Sequence, residues 1–337
     1  MSVFVFDADV LGRRRTGDET YALNLLRELG PLAADAGIRL VAVTRHPELV
    51  PAAVEPFELA ARSQEVRMAW TLPRALRRLG ARLCHTQHAL PLGARCPCVV
   101  TVHDVSFARD PGVMGWKDRT TFRLVVPRAV RRAARVLTVS ERTKRDLVEL
   151  YGADPARIVV TPNGVDPAFS PGAGAHDYVL SVGAIHRRKN QLAALAAATA
   201  AALPLVVVGP EKDAALATEL REGGARLEGY VEMARLVELY RGAACLVQSS
   251  SYEGFGLPVV EAMASGTPVV AVDESALREV AGDAAVVVDV AELAEGIRTA
   301  IAQRDRLVAA GLERARAFSW RATAERTLAV YREILGT

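Results

Sequence analysis

The sequence lacks the features of several large protein classes. No apolar run is long enough to cross a membrane, and residues Met1 to Asp9 contain neither a basic segment nor a small-residue cleavage site. Cysteine is scarce, and Cys84, Cys96, Cys98 and Cys245 form neither a disulfide ladder nor the spacing of a zinc site. These absences predict a cytoplasmic protein with free, mostly buried thiols.

The net charge of the chain is also small. The chain has 42 basic and 39 acidic residues, a formal net charge of +3. This balance attracts phosphorylated ligands or anionic lipid surfaces, but it is too weak to indicate a nucleic-acid partner. No internal repeat interrupts the 337 residues, of which 50% are hydrophobic. A chain of this length predicts two domains, each large enough to bury its own core.

Short apolar runs alternate with helical patterns along the whole chain. This alternation predicts α/β architecture with doubly wound, parallel sheets. Between Asp166 and Asp177 proline, glycine and alanine dominate without an apolar period, which predicts an interdomain linker. We therefore predict an N-terminal domain over residues 1–168, a C-terminal domain over 176–318 and a final helix within 319–337.

The most informative stretch runs from Ser249 to Val272. A buried strand, Ala243 to Gln248, leads into a loop with two glycines, and Pro258 suits the first position of the following helix. Free backbone amides at such a helix start bind phosphate. The residues predicted to offer them are Phe255, Gly256, Leu257 and Val259.

Two acids flank this helix start. Glu253 and Glu261 could both accept hydrogen bonds from hydroxyls of one ligand, which favours a hydroxyl-rich phosphate ester such as a nucleotide sugar. Alternatively, Glu253 is an exposed loop acid and Glu261 matches the helix dipole. A loop position for Glu253 predicts that replacing it leaves stability within about 1 kcal/mol of the wild type.

The run EGFGLPVVEAMASGTPVVA, which begins at Glu253, resembles the Glu, seven residues, Glu signature of retaining glycosyltransferases of the GT-B fold, family four. The resemblance implies two Rossmann-like, doubly wound domains that face a cleft. It also implies a nucleotide sugar held mainly by the C-terminal domain, no metal and no cofactor, and a terminal helix that crosses back to the first domain. In such a site Glu253 would position the sugar and Glu261 would hold the ribose hydroxyls.

Other elements extend the resemblance. Thr101 to Asp104 (TVHD) ends a strand with His103, whose near-neutral pKa would let it contact the sugar, although a lone histidine there is more often structural. Arg187 to Asn190 (RRKN) puts cations before a helix, which is unfavourable without an anion. In related enzymes such residues hold the donor's diphosphate, which assigns that role to Arg188 and Lys189.

Two further assignments follow from the same resemblance. The loop Gly12 to Thr20 follows the first strand, and Gly17 matches a position that approaches the donor phosphates or the acceptor. The segment Gly229 to Val231 lies beside the nucleotide base in related enzymes, so Val231 joins the predicted donor site. Asp7-Ala8-Asp9 could bind a metal, but such pairs are common and we predict none.

These elements predict a metal-independent, retaining glycosyltransferase that moves a sugar from GDP-mannose or a UDP-sugar to a hydroxyl acceptor. A sugar-nucleotide epimerase or a phosphorylase could share the architecture, and a non-catalytic nucleotide-sugar-binding protein is a further alternative. The basic segment Pro127 to Val136 predicts a helix that is either a solvated surface or a peripheral contact with an anionic membrane.

Overall fold

The computed structural model describes residues 2–13, 16–59, 61, 63–110 and 116–336. The chain divides into two compact units. The first unit comprises Met1–Gly164 and Trp320–Thr337, and the second unit comprises Val165–Ser319.

The first unit alternates strands and helices before it is completed by the last helix of the chain. Its strands are β1 (Ser2–Asp7), β2 (Ile38–Thr44), β3 (Glu55–Glu58), β4 (Ala81–Gln87), β5 (Cys98–Val102), β6 (Arg135–Thr138) and β7 (Ile158–Val160). Its helices are α1 (Thr16–Asp35), α2 (Gln64–Val66), α3 (Leu72–Leu79), α4 (Ser106–Arg109), α5 (Trp116–Arg132), α6 (Glu141–Tyr151) and α14 (Trp320–Leu335). A π-helical turn, Arg67–Thr71, connects α2 to α3.

The second unit repeats the alternation. Its strands are β8 (Val179–Val182), β9 (Leu205–Val208), β10 (Arg226–Gly229), β11 (Cys245–Gln248), β12 (Val269–Val272) and β13 (Val286–Val288). Its helices are α7 (Gln191–Ala200), α8 (Ala214–Glu222), α9 (Met233–Gly242), α10 (Leu257–Ala264), α11 (Ser275–Ala281), α12 (Leu293–Ala302) and α13 (Arg304–Ala315).

Both sheets are parallel and follow the same winding. The strand order is β3-β2-β1-β4-β5-β6-β7 in the first unit and β10-β9-β8-β11-β12-β13 in the second. The predicted α/β fold with two doubly wound, Rossmann-like domains is therefore confirmed. Every residue of β9, β11 and β12 is buried, as expected where helices cover both faces of a parallel sheet. The winding reverses between β1 and β4 and between β8 and β11, where ligands of such sheets bind at the carboxyl ends.

The terminal helix α14 is held in the first unit by a buried chain of hydrogen bonds. The hydroxyl of Tyr331 lies 2.5 Å from Nδ1 of His85 on β4, and Nε2 of His85 lies 2.7 Å from the hydroxyl of Thr101 on β5. The Thr101 hydroxyl also lies 2.9 Å from that of Tyr21 on α1. Burial lowers the pKa of His85 to about 3, so the imidazole is neutral and all the linked groups are uncharged polar groups.

Two expected element boundaries were wrong. Gly17 was expected in a loop, but α1 begins at Thr16, so Gly17 lies in its first turn. Arg14 and Arg15 of the same predicted loop lie outside the described residues. The helix expected over Pro127 to Val136 ends at Arg132, because the apolar residues that follow Arg135 form the buried strand β6.

The predicted linker, residues 166–177, packs against the second unit instead of forming a loose connection between the two units. No helix or strand lies between residues 166 and 177, but the division between the units falls earlier, after Gly164. The guanidinium of Arg241 binds the carbonyl of Ser170 at 2.7 Å, and a Cβ added at Gly174 would lie 2.0 Å from the Arg241 carbonyl. The segment therefore packs along the second unit.

The remaining expectations concern the membrane and the thiols. Among the helices of the described chain, none combines the length and the hydrophobicity that a membrane span requires.

Cys84, Cys98 and Cys245 are buried, Cys96 is partly buried, and all four are free thiols, as expected.

The buried chain yields a stability prediction. Tyr331→Phe leaves His85 with an unpaired ring nitrogen, so we expect a loss of about 1–3 kcal/mol in the free energy of unfolding. Urea denaturation followed by circular dichroism measures it. Tyr151→Phe is the matched control, because the buried Tyr151 hydroxyl has no hydrogen-bond partner among the described residues. Equal urea midpoints for the two variants would show that this chain of hydrogen bonds contributes no stability.

Candidate active site

Two loops meet at the carboxyl ends of β8 and β11 in the second unit. The first loop contains a 3-10 turn, Arg187–Lys189, and the second runs from Ser249 to the start of α10. The amide of Ser251 donates to the carbonyl of Arg188 at 3.0 Å, and the hydroxyl of Ser249 donates to the carbonyl of Lys189 at 2.7 Å. Because β8 and β11 are neighbours in the sheet, residues distant in sequence form one site here.

Glu253 lies at the centre of this site. Its Oε1 accepts a hydrogen bond from Nζ of Lys189 at 2.6 Å and another from Nε2 of Gln248 at 2.7 Å. Its Oε2 lies 3.5 Å from the guanidinium of Arg188, which also donates to the carbonyl of Tyr252. The structure therefore brings together Glu253, which was predicted to position the sugar, and Arg188 and Lys189, which were predicted to hold the diphosphate.

The expected surface position of Glu253 was wrong, because only 7% of the residue is exposed. Burial alone would raise its pKa, but Lys189 and Arg188 outweigh this effect and lower the pKa to about 2. The carboxylate is thus ionised throughout the physiological range. The cations, which we expected to face a diphosphate, are paired with this acid.

The start of α10 has the conformation that its glycine predicts. Gly256 is the N-cap, with φ at 104°, and a Cβ there would lie 2.9 Å from a methyl of Leu277. Leu257 is the first residue of the helix. The amide of Val259, expected to be free, donates to the Gly256 carbonyl at 2.9 Å. The side chain of Phe255 packs edge-on against Phe318, so only its backbone could serve a ligand.

Glu261 has a different environment from Glu253. Its Oε2 accepts a hydrogen bond of 2.7 Å from the hydroxyl of Tyr240 on α9. Burial raises the pKa of Glu261 to about 7, the Tyr240 hydrogen bond lowers it, and the nearby charge of Asp166 raises it. Since no cation is among these influences, Glu261 can gain or lose a proton near neutral pH.

Val231, the last residue assigned to the donor site, lies apart from this pair of loops. It follows β10, which is separated from β8 by β9. No described hydrogen bond or ion pair joins it to Glu253 or Glu261, and its assignment stays a prediction.

In the first unit His103 lies just after β5. Its Nε2 is 2.7 Å from Oε1 of Gln87 and 4.0 Å from the carboxylate of Asp18, and its ring packs edge-on against Tyr21. Burial lowers the pKa of His103 to about 4, the charge of Asp18 raises it, and His88 lowers it further. The expected near-neutral pKa was wrong, and the imidazole is neutral at pH 7.

Several polar residues beside His103 were not predicted. Gln87 and His88 lie at the carboxyl end of β4, and Asp18 lies in the first turn of α1 next to Gly17. The residue following β4 could have been found from the sequence, because the winding of the sheet reverses at that strand. His88 also has φ at 60°, a left-handed conformation that is unusual for histidine.

Two groups of side chains in the first unit bear on metal binding. Asp7 is paired with Arg67, and Asp9 with Arg13 and Arg45, so the predicted Asp-x-Asp element is neutralised by arginines. Asp18, His88 and His103 place their ligand atoms within 4.8 Å of one another. Among the described residues these three side chains are the ones that could share a metal ion.

Comparison with known proteins identifies the class. Residues 169–318 match the family Glycosyl transferases group 1, and residues 15–169 match Glycosyltransferase Family 4. O-antigen chain mannosyltransferase B of Escherichia coli is 31% identical over 267 residues, which cover 69% of this chain and 70% of that protein. The chain therefore belongs to the group 1 family of glycosyltransferases, as the resemblance predicted.

Solved structures agree on the fold. Sucrose-phosphate synthase of Thermosynechococcus elongatus covers 100% of both chains with a TM-score of 0.79 at 20% identity. The Anabaena protein HepE, solved in complex with UDP and glucose, covers 99% of this chain and 100% of its own with a TM-score of 0.75 at 17% identity. Both are GT-B structures, and each unit described above is one Rossmann-like domain of that fold.

The buried pairing of Glu253 yields the next prediction. Glu253→Ala leaves Lys189 and Arg188 without their counter-ion, so we expect a loss of about 3 kcal/mol in the free energy of unfolding at pH 7. Because the pKa of Glu253 is lowered from 4.5 to about 2, this contribution is present above pH 4.5 and fades as the pH falls towards 2. Urea denaturation at several pH values measures both effects.

A matched control is Asp273→Ala. Asp273 forms an ion pair with Arg278, but both side chains are exposed, at 45% and 61%. Solvent screens such a pair, so we expect no measurable change in stability. A loss for Glu253→Ala no larger than that of the control would contradict the buried pairing.

Proposed function

We propose that the protein is a cytoplasmic, retaining glycosyltransferase that moves a sugar from a nucleoside diphosphate sugar to a hydroxyl acceptor, in polysaccharide, glycolipid or glycoconjugate synthesis. The observation that carries the proposal is the convergence of Arg188, Lys189 and Glu253 just ahead of the N-terminus of α10. GDP-mannose and UDP-sugars are the proposed donors. The relative from Escherichia coli is a mannosyltransferase, and HepE was solved with UDP and glucose.

The cations and the helix start are suited to a diphosphate. Arg188 and Lys189 carry two positive charges against the single charge of Glu253, so the cluster has an excess of one. The amides of Gly256 and Leu257 and the positive end of the α10 dipole add to its attraction for anions. As the bond to the sugar breaks, negative charge grows on the leaving diphosphate, and groups fixed beside it lower the barrier.

Glu253 has a restricted chemical role in this proposal. With a pKa of about 2 it cannot donate a proton at neutral pH, and Lys189 and Gln248 already occupy Oε1, which makes the carboxylate a poor nucleophile. A fixed negative charge does suit the positive charge that develops at the anomeric carbon. We therefore assign Glu253 to sugar positioning and to transition-state stabilisation.

The proposed transfer proceeds on one face of the sugar. The acceptor oxygen bonds to the anomeric carbon, the bond from that carbon to the diphosphate oxygen breaks, and the acceptor proton leaves with the diphosphate. No metal ion and no cofactor takes part in this scheme. The neutral imidazole of His103 is suited to a hydrogen bond with a sugar hydroxyl rather than to proton transfer.

The other predicted residues also receive roles in donor binding. Phe255, Gly256 and Leu257 would present amides, and Val231 would lie beside the base. Gly17 would allow a ligand to approach α1, since a Cβ there would meet no described atom within 4 Å. Glu261 would accept hydrogen bonds from the ribose.

Donor binding tests the proposal. Lys189→Ala removes a charge-assisted hydrogen bond to the diphosphate, so we expect about tenfold to hundredfold weaker binding of UDP-glucose or GDP-mannose. Isothermal titration calorimetry in EDTA measures the dissociation constants, after thermal-shift screening has selected the donor. NMR of the transferred sugar then reports whether its anomeric configuration is retained.

Lys212→Ala is the matched control, because Lys212 is an exposed lysine of the same unit. We expect it to bind the donor like the wild type. Failure of every nucleotide sugar to bind the wild type would refute the function, and equal dissociation constants for the two variants would move the diphosphate elsewhere. Donor turnover to an epimer without an acceptor would favour the epimerase alternative.

We also propose a peripheral membrane contact through the first unit. Trp70 in the π-helical turn is 61% exposed and Leu124 on α5 is 70% exposed. The guanidinium of Arg74 stacks over the Trp70 ring at 3.4 Å, which pairs an apolar surface with a cation. Met68 and Val125, from the same two elements, pack in one core cluster. Exposed aromatic and aliphatic side chains among arginines fit an anionic lipid surface.

Vesicle sedimentation tests this contact. We expect the wild type to sediment with vesicles that contain anionic lipid and not with neutral ones, since arginine supplies the attraction. The double variant Trp70→Ala, Leu124→Ser should bind several-fold less. Val290→Ser removes a side chain of the second unit that is 48% exposed and serves as the control. Unchanged sedimentation of the double variant would exclude this surface.

A further inference from the structure

Tyr240 connects two helices of the second unit through one hydrogen bond. Its hydroxyl, on α9, donates to Oε2 of Glu261 on α10 at 2.7 Å. The tyrosine is fully buried, and burial together with the charge of Glu261 raises its pKa well above the usual value. The phenol therefore stays protonated and acts as a donor.

The tyrosine itself is fixed from other directions. Its ring packs edge-on against Phe169 with 5.5 Å between the centroids. Its backbone carbonyl accepts a hydrogen bond of 2.7 Å from the hydroxyl of Thr267, which follows α10. The Thr267 hydrogen bond fixes the backbone of α9 here, and the buried, packed ring has little rotational freedom, so its hydroxyl defines one position for the Glu261 carboxylate.

The charged groups on the elements around α10 do not replace this hydrogen bond. Arg304 and Arg314 on α13 donate to the carbonyls of Ala244 and Val280, and Arg278 on α11 pairs with Asp273. Asp166 is the acid whose charge acts on Glu261. Tyr240 is the described side chain that donates a hydrogen bond to the Glu261 carboxylate.

We propose that Tyr240 is a positioning residue that orients the Glu261 carboxylate to accept hydrogen bonds from the ribose hydroxyls of the donor. This inference rests on the proposed function, in which Glu261 binds the ribose. The hydrogen bond uses Oε2, so Oε1 and the second lone pair of Oε2 can serve the ligand. A neutral donor also keeps the carboxylate close to its titration point, which a cation would not.

A pH dependence of donor binding follows. The pKa of Glu261 is about 7, because burial raises it more than Tyr240 lowers it. The ionised carboxylate is the stronger acceptor, so donor affinity increases as the pH rises through 7 and then levels off. Without the Tyr240 hydroxyl the pKa of Glu261 rises further, and the midpoint of this profile moves to higher pH.

Calorimetric titration with the nucleotide sugar, from pH 5.5 to 9, tests the inference. The diphosphate of a nucleotide sugar is a diester without the ionisation near pH 6 that a terminal phosphate has, so the profile reports the protein. For Tyr240→Phe we expect a midpoint about one pH unit higher, the size of a hydrogen bond to a carboxylate. At pH 7 binding should be about fivefold weaker, and at pH 9 nearly equal to the wild type.

Two further variants separate positioning from general damage to α9. Tyr178→Phe removes a hydrogen bond of 2.7 Å to the carbonyl of Leu239, the residue that precedes Tyr240, without touching Glu261. We expect the wild-type midpoint for this variant. Glu261→Gln cannot ionise, so its profile should be flat between pH 6 and 8.

The outcomes distinguish the two proposals. A Tyr240→Phe midpoint equal to that of the wild type, or a Tyr178→Phe midpoint shifted as far, would overturn the positioning role while donor binding itself remains. A wild-type profile as flat as that of Glu261→Gln would overturn it as well. Absence of nucleotide-sugar binding at every pH would instead refute the proposed function.

Discussion

The candidate donor site depends on the buried ion pair between Glu253 and Lys189. The carboxylate of a glutamate that is only 7% exposed is stable only where cations and hydrogen-bond donors compensate for lost water, and Lys189, Arg188 and Gln248 do so here. The pair also joins the loops that follow β8 and β11. The residues proposed to bind the donor therefore hold one another in place, and a substitution there changes both stability and binding.

The sequence allowed the architecture to be predicted because its strands are short apolar runs separated by helical patterns. It also allowed Arg188, Lys189 and Glu253 to be assigned to one site, through a family signature whose residues follow two strands. It did not reveal that these side chains pair with each other. That contact joins positions 64 residues apart and depends on side-chain direction and burial, which a local pattern does not contain.

The errors have similar physical causes. Gly17 was placed in the loop Gly12 to Thr20 that follows the first strand, yet α1 already begins at Thr16. The pKa of His103 was expected near neutrality because its burial was unknown, and the supporting Gln87 was missed because it comes from a different strand. The predicted linker has the composition of a flexible chain, but Arg241 binds it to the second unit.

The two glutamates of the signature show how neighbouring positions acquire different chemistry. Glu253 faces two cations and has a pKa of about 2, whereas Glu261 faces a phenol and an acid and has a pKa of about 7. A permanent negative charge is useful beside a carbon that becomes positive. Beside the ribose, the carboxylate needs only to accept hydrogen bonds, and its neutral partner Tyr240 leaves it able to titrate near neutral pH. The difference arises from the partners in the loop after β8 and on α9, since both acids lie within one short segment of the chain.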